Sequence, residues 1–343
     1  MEPWTTFIGT YTTGESDGIY RGTMHGDGYI DNLSLAAETE NPTFLTTDPS
    51  GTYLYAVNEV DAGAVTAYEI DGNRLTEIDH TVIGPADPCH ISVDAAGAFA
   101  YVAHYSGRAV SMIPLTADGT FGEPSVLERE GHGPDPDRQT EPHPHSATVG
   151  PNDTFLYVAD LGTDEVVIYR INRDQGELEQ TGIAAVHEGA GPRHLDFDPA
   201  AELVYLINEL DSTMTVFDWD GATGALTQLH TVGTLGVEAN EDNYPADIHV
   251  YPDGVFVYGS NRGDDSIVIF EVGDDDPTLI DVSACGGEWP RNFVIAPDGD
   301  HLFVANEHTD NIVPFEIDLQ SGYLDPIERE ATVPAPVCLL PLS

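Results

Sequence analysis

The stretch Pro290–Asn306, PRNFVIAPDGDHLFVAN, decides the fold. It reads as an apolar strand, a turn at Ala296-Pro-Asp-Gly299 and a second apolar strand that ends on Asn306. Five further copies of the unit occur, and each carries a polar residue 16 positions after its proline. The six pairs are Pro42 with Asn58, Pro88 with His104, Pro144 with Asp160, Pro192 with Asn208, Pro245 with Asn261, and Pro290 with Asn306. Such a constant offset indicates an internal repeat.

Each repeat continues into a third apolar strand, such as Ile312-Val-Pro-Phe315, and a less regular fourth strand. Four short strands in about 45 residues, separated by Gly, Pro, Asp and Asn turns, are typical of a propeller blade. The N-terminus begins with a second strand at Thr6-Phe-Ile-Gly9, and the C-terminus supplies the missing first strand at Pro336-Val-Cys-Leu-Leu340. We therefore predict an all-β, seven-bladed β-propeller that forms one domain over residues 1–343. Its ring closes where the two terminal strands pair in one blade.

The charge of the chain is strongly one-sided. Asp and Glu number 60 and Lys and Arg number 11, which gives a net charge of −49, and all 11 basic residues are arginines. The aromatic content of 9% and the regular strands argue against disorder. An acidic surface of this kind suits a high-salt cytoplasm, because molar salt screens the self-repulsion. We expect a halophilic protein that does not bind nucleic acid.

Compartment follows from the termini and the cysteines. The chain begins Met1-Glu2-Pro3-Trp4 without a basic n-region or an apolar h-region, so we expect no signal peptide, and no apolar run reaches the ~18 residues of a membrane span. Its three cysteines, Cys89, Cys285 and Cys338, are odd in number and lack a CxxC spacing, so free thiols are expected. We predict a cytoplasmic protein without membrane association, and the oligomeric state stays open.

Candidate site residues fall on one face of the predicted ring. Strand direction alternates within a blade, so first strands begin and second strands end on the same face. The two longest connections between blades, Glu128 to His143 and Thr234 to Tyr244, lie on this face as well. Arginines converging here suggest an anionic ligand or a charge that develops in a reaction. The histidines, arginines and glutamates at these positions are His90, His104, His145, His194, Arg193, Arg262, Arg291, Glu59, Glu209 and Glu307.

Structural roles are open for part of this set. The recurring asparagines can close the turn after the second strand through their own side chains. His90 and His194 can be satisfied interior histidines, and Arg291 can pair with a carboxylate across the channel.

Several segments together resemble the seven-bladed β-propeller lactonase family, which includes bacterial propeller-type 6-phosphogluconolactonases and the fungal carboxy-muconate lactonizing enzyme. The resemblance spans nearly the whole chain. It implies catalytic roles for His145, Arg193, Glu209 and Arg262. The segments are Pro142-His-Pro-His-Ser146, Tyr157-Val-Ala-Asp-Leu161, Gly191-Pro-Arg-His194, Asn208-Glu-Leu210, Ser260-Asn-Arg262 and Pro290-Arg-Asn-Phe293.

The resemblance implies hydrolysis of a sugar lactone, with 6-phosphogluconolactone the leading substrate. An unphosphorylated sugar-acid lactone and a muconate-type cycloisomerisation stay open. Glu209 or His145 is the expected base, while Arg193 and Arg262 hold the oxyanion and the anionic group of the substrate. No cofactor and no metal are expected. The candidates for substrate binding are His143, His194, Arg291, Asn261 and His104, and His143 is also the alternative to His145.

Two other classes of function are compatible with a propeller. A non-catalytic binding or scaffold module would not need a mixed His, Arg and Glu set at one mouth. A metal-dependent lactonase would use carboxylate and amide oxygens, and Glu59, Asn208, Asn261 and Asp160 imitate such a set. The neighbouring arginines oppose a cation there, so metal-independent hydrolysis is favoured.

Overall fold

A computed structural model describes residues 3–237, 242–273 and 276–342. Within these ranges the regular secondary structure is β-strand, and no helix is present that could span a membrane. The strands of the first half of the chain are β1 (Trp4–Thr10), β2 (Gly18–His25), β3 (Tyr29–Glu38), β4 (Leu45–Thr47), β5 (Tyr53–Asn58), β6 (Ala64–Asp71), β7 (Arg74–Val82), β8 (Pro88–Val93), β9 (Phe99–His104), β10 (Ala109–Pro114), β11 (Ser125–Glu128), β12 (Pro144–Val149), β13 (Phe155–Asp160), β14 (Glu165–Asn172) and β15 (Glu177–Ala185).

The second half continues the same alternation. Its strands are β16 (Pro192–Phe197), β17 (Leu203–Asn208), β18 (Thr213–Trp219), β19 (Leu226–Gly233), β20 (Tyr244–Val250), β21 (Phe256–Arg262), β22 (Ser266–Glu271), β23 (Thr278–Ala284), β24 (Pro290–Ile295), β25 (His301–Asn306), β26 (Asn311–Ile317), β27 (Leu324–Pro326), β28 (Ala331–Thr332) and β29 (Pro336–Pro341).

These strands form seven antiparallel sheets, which confirms the predicted seven-bladed propeller. Six blades are built from consecutive strands, beginning at β4, β8, β12, β16, β20 and β24. The remaining blade has the order β29-β1-β2-β3, with Phe7 opposite Leu340 and Ile8 opposite Leu339. The two ends of the chain therefore close the ring as predicted, and the inner edge of β1 is paired.

The core lies between neighbouring blades. One aromatic side chain of each second strand is almost fully buried there. It stands three positions before Thr10 in the first blade and three positions before the polar repeat residue in the other six. A buried aromatic side chain removes ~150–250 Å² from water, so this layer contributes much of the stability of the ring. The seven residues are Phe7, Tyr55, Tyr101, Tyr157, Tyr205, Tyr258 and Phe303.

A β-bulge follows the proline in most first strands, and it aims a side chain at the channel. Pro88 lies opposite His104, but the next pair is His90 with Ala103, so Cys89 has no partner in the ladder. The same shift leaves His145, Arg193 and Arg291 unpaired in their strands. Bulges bend the strand and redirect side chains. We call the residues that directly follow the seven prolines the inner ring: Thr43, Cys89, His145, Arg193, Ala246, Arg291 and Val337.

A second set of residues is fixed at the end of each second strand. The amide of Glu209 donates to the carbonyl of Gly191 at 2.7 Å, and the amide of Tyr105 donates to that of Asp87 at 2.8 Å. The accepting residue precedes the proline and has a left-handed backbone, with φ of 69° at Gly191 and 50° at Asp87. We call the residues that directly follow Thr10 and the six polar repeat residues the outer ring, of which Arg262 is still the last residue of β21: Tyr11, Glu59, Tyr105, Leu161, Glu209, Arg262 and Glu307.

Candidate active site

The two rings border a cavity of about 170 Å³ at one end of the channel. The inner ring contributes Cys89, His145 and Arg291 to its wall. Four outer-ring residues and one loop residue complete the lining: Glu59, Tyr105, Glu209, Arg262 and Arg138. Side chains from six separate stretches of the chain thus meet in one place, as the repeat arithmetic predicted.

Glu209 is the centre of the positive side of this cavity. Its Oε2 accepts from Arg262 Nη2 at 2.6 Å and from Arg193 Nε at 3.1 Å, and its Oε1 accepts from Arg138 Nη2 at 2.5 Å. Burial alone would raise the pKa of this carboxyl, but the three guanidinium groups override burial and hold the pKa well below its ordinary value. Glu209 is therefore an ionised, firmly held carboxylate.

Arg193 and Arg262 are pinned by the backbone as well as by Glu209. Arg193 is 2% exposed and donates through Nη1 to the carbonyl of Ala246. Arg262 donates through Nε to the carbonyl of Tyr244 at 2.8 Å, and its guanidinium lies 5.3 Å from the ring centroid of Trp289. These contacts set the direction of both guanidinium groups before any ligand binds.

Arg291 belongs to a second hydrogen-bonded cluster in the cavity wall. Its Nη2 donates to the Tyr11 hydroxyl at 2.7 Å, and that hydroxyl donates to Glu59 Oε1 at 2.8 Å. Thr43 donates to the other oxygen of Glu59 at 2.6 Å. Burial raises the pKa of Tyr11, and the facing carboxylates raise it further, so the phenol stays protonated. Arg291 therefore reaches the Glu59 carboxylate through the Tyr11 hydroxyl, in place of the direct ion pair that the sequence left open.

His145 faces the cavity with a neutral ring. Burial lowers the pKa of His145 well below its ordinary value, and Arg193 lowers it further. Its Nδ1 lies 3.9 Å from Cys89 Sγ, and the ring meets the edge of Tyr105 at 5.5 Å between centroids. His143 lies behind Tyr105, stacked on that ring at 4.3 Å with Nδ1 3.1 Å from its carbonyl oxygen. The structure therefore places His145 in the cavity wall and His143 in its support.

His194 lies one level deeper in the channel. Its Nδ1 is 2.9 Å from Asp247 Oδ1, and its ring lies 5.5 Å from both His90 and His145. Burial lowers the pKa of His194 to about 4, and Arg193 adds to the effect. The residue lines a much smaller cavity of about 10 Å³, which shares Cys89 and Arg291 with the larger one.

Two predicted substrate-binding residues do not reach the cavity. His104 is fully buried between the carbonyl of Pro85 and the hydroxyl of Ser111, at 3.1 and 2.8 Å. Asn261 donates to the carbonyl of Thr234 at 2.9 Å and accepts from Asn243 at 3.1 Å. Both side chains bind a neighbouring strand or connection of their own blade. This corrects their assignment, because the fold already uses their hydrogen-bonding groups.

The four residues of the metal-dependent alternative are not brought together. Glu59 lines the cavity, whereas Asn208 donates to the hydroxyls of Thr213 and Thr215. Asp160 is paired with Arg129 at 3.1 Å. Asn261 is held as described above.

Arg138 lines the cavity without having been assigned a role from the sequence, as do Tyr105 and Cys89. It lies in the long connection Glu128 to His143, whose length had already marked this loop. The other long connection, Thr234 to Tyr244, includes residues 238–241, which lie outside the described residues. An arginine in an unusually long loop, in a chain with 11 arginines, was the available signal.

Comparison with known proteins identifies the family. The family model described as "Lactonase, 7-bladed beta-propeller" matches residues 5–341. A 6-phosphogluconolactonase of Bacillus subtilis is 35% identical over 99% of this chain and 98% of its own. A putative 6-phosphogluconolactonase of Bacteroides fragilis superposes with a TM-score of 0.91 at 33% identity, covering 100% of this chain and 98% of its own. A periplasmic gluconolactonase of Pseudomonas aeruginosa gives 0.95 at 30% identity, covering 100% and 99%. The chain belongs to the seven-bladed β-propeller lactonase family.

Proposed function

We propose that this chain is a lactonase that hydrolyses a sugar lactone carrying an anionic group, with 6-phosphogluconolactone as the leading substrate. The observation that carries the proposal is the convergence of Arg138, Arg262 and Arg291 with His145 on one cavity. In a chain with a net charge of −49, this mouth concentrates positive charge. The names of the relatives from Bacillus subtilis and Bacteroides fragilis support the same substrate.

Arginine is suited to both charges that the reaction presents. A water oxygen bonds to the lactone carbonyl carbon, and the carbonyl oxygen becomes an oxyanion. Arg262, with Arg193 behind Glu209, stabilises either that oxyanion or the anionic group of the substrate, since a guanidinium fork matches both geometries. The ring carbon–oxygen bond then breaks, and the ring oxygen leaves as a hydroxyl group.

A neutral histidine is the better proton acceptor of the two bases that the sequence left open. Both carboxylate oxygens of Glu209 already accept hydrogen bonds from guanidinium groups, so Glu209 is engaged as their counter-ion. His145 is unprotonated at neutral pH and lines the cavity. In our proposal it takes the proton of the attacking water and returns it to the ring oxygen. Glu209 instead sets the spacing of the arginines around it.

The test is a proton-release assay in high salt with phosphorylated and plain sugar lactones. Arg193→Ala and Arg262→Ala should each lower kcat/KM by about 10²–10³, because each removes a preorganised donor for developing charge. In the same assay, His145→Ala should lower kcat and change the acid side of the pH profile.

Arg329→Ala is the matched control. Arg329 is 60% exposed and lies 3.9 Å from Asp27 in a surface pair, so its loss should leave turnover unchanged. Near-normal kcat/KM in both arginine variants, or a wild-type protein that hydrolyses no lactone in the panel, would refute the proposal.

An unphosphorylated sugar lactone is the second candidate substrate. The Pseudomonas aeruginosa relative, whose name says gluconolactonase, favours it. The same panel separates the two, since kcat/KM ranks the phosphorylated against the plain lactone.

We further propose a cytoplasmic, halophilic protein without a cofactor, whose partner is the small-molecule lactone. Its three cysteines are free and buried, which supports a reducing compartment.

A further inference from the structure

Arg138 is held differently from the other arginines around Glu209. Arg193 and Arg262 are buried and donate to backbone carbonyls as well as to Glu209. The Arg138 side chain is 35% exposed, and its partners in the described chain are two side-chain groups, Glu209 Oε1 and the Tyr105 hydroxyl at 3.2 Å. Arg138 can therefore change partner without leaving a buried carbonyl unpaired.

The loop that carries Arg138 is anchored on both sides. Gln139 is fully buried and donates through Nε2 to the carbonyl of Leu161 at 2.8 Å and to Asp164 Oδ1 at 2.7 Å. At the other end, Arg129 is paired with Asp160 at 3.1 Å and with Glu165 at 2.7 Å. The backbone at position 138 is thus fixed next to the cavity. A ligand that engages Arg138 orders a side chain and not a whole loop.

The charges around the cavity leave room for an added anion. One carboxylate, Glu209, serves three guanidinium groups. With Arg291, four arginines face three outer-ring carboxylates, since Glu59 and Glu307 are the other two. Glu59 is already engaged by Tyr11 and Thr43 on the wall of Arg291. The excess of positive charge therefore lies around Glu209, where Arg138 is the most exposed of the three arginines.

We infer that Arg138 is a specificity-determining residue that exchanges Glu209 Oε1 for the anionic group at the end of the substrate remote from the lactone carbonyl. The inference rests on the proposed function. The ligand class is a sugar acid, or its lactone, that carries a phosphate or a second carboxylate. The exchange frees Glu209 Oε1, which can then accept a hydrogen bond from a substrate hydroxyl.

Binding of the stable open-chain acids tests this without turnover. Titration calorimetry with 6-phosphogluconate, glucarate and gluconate compares a phosphate, a second carboxylate and a plain hydroxyl at the same end. We expect the wild type to bind one or both of the doubly acidic ligands at least tenfold more tightly than gluconate. Arg138→Gln should reduce that preference by tenfold or more, and Arg138→Lys should restore part of it. Whichever of 6-phosphogluconate and glucarate binds more tightly shows whether Arg138 recognises a phosphate or a carboxylate.

Arg108→Gln is the control, because Arg108 is a 55% exposed arginine paired with Glu141 at 3.3 Å on the same loop face. Its preference should equal that of the wild type. A preference in Arg138→Gln within twofold of the wild type overturns the inference. So does an equal weakening of all three ligands with a lowered melting temperature, which would indicate a structural role.

The outcome separates this inference from the proposed function. A wild type that shows the Arg138-dependent preference but hydrolyses no lactone would remove the proposed reaction and keep the binding role. Lactone hydrolysis by a wild type whose binding preference does not depend on Arg138 would keep the proposed reaction and remove the binding role.

Discussion

At the scale of single residues, Glu209 is the counter-ion of three arginines that lie at or near the buried end of the cavity. Removing one partner of a buried ion pair leaves uncompensated charge and costs about 3–5 kcal/mol. We expect Glu209→Gln to destabilise the protein by that order, measured as the free energy of unfolding in denaturant. Glu141→Gln, which changes an exposed partner of Arg108, should stay within about 0.5 kcal/mol of the wild type. Equal stability of the two variants would contradict the role assigned to Glu209.

The lowered pKa of Glu209 also predicts how the stability difference between wild type and Glu209→Gln changes with pH. The folded-state pKa of Glu209 is lowered from an ordinary value of 4.5, so the folded protein binds fewer protons at this group than the unfolded chain. Its contribution to stability is complete above the unfolded pKa and is lost as the pH falls through the folded one. The stability gap between wild type and Glu209→Gln should therefore narrow below about pH 4.5.

The repeat located the inner-ring and outer-ring residues at the cavity, but it did not show that the residues one position before the outer ring point into the blade. Arg193, Glu209 and Arg262 follow a proline or a second strand, and the structure brings them together. His104 and Asn261 each stand opposite the proline of their blade, one residue earlier than the outer ring. Neighbouring side chains of a strand point to opposite faces, so one position moves a side chain from the cavity into the blade. The position of Arg138 at the cavity depends on the path of an irregular loop, which the repeat does not predict.

At the scale of the strands, β29 is the element on which closure depends. It pairs with β1 and buries Val337, Cys338 and Leu339. A chain that ends at Pro334 should lose the cooperative thermal transition and aggregate, because β1 becomes an open edge beside an exposed core. Circular dichroism with light scattering measures both effects. A chain that ends at Leu342 is the control, and cooperative unfolding of the shorter chain at the same temperature would contradict this role of β29.

The repeat predicted the strands and their register, but it did not predict where a strand is broken. The offset of 16 is a register, since Pro88 pairs with His104 and Pro290 with Asn306. The fourth strand of the last blade, in contrast, is split into β27 and β28, and both pair with β26. β27 ends at Pro326, which lacks a backbone donor for the ladder. A break of this kind depends on local backbone chemistry and is invisible in a period.

At the scale of the whole molecule, net charge opposes the compact ring. The net charge of −49 repels itself, and molar salt shortens the screening length to ~3 Å. We expect the melting temperature to rise by ten degrees or more between 0.1 and 3 M KCl. Sucrose at the same osmolality is the control for non-ionic effects, and it should give a smaller shift. An unchanged melting temperature in KCl would contradict the halophilic hypothesis. The assignment of residues 1–343 to one domain stays a prediction.

The bulge that follows the proline in most first strands has a consequence for how such proteins diversify. A residue that lacks a partner across the ladder can be replaced without breaking a main-chain hydrogen bond or emptying the space between blades. Ala246 and Val337 occupy such inner-ring positions without any charge. New substrate ranges can thus evolve by exchanging a few mouth residues, while the strands that carry the folding free energy remain as they are.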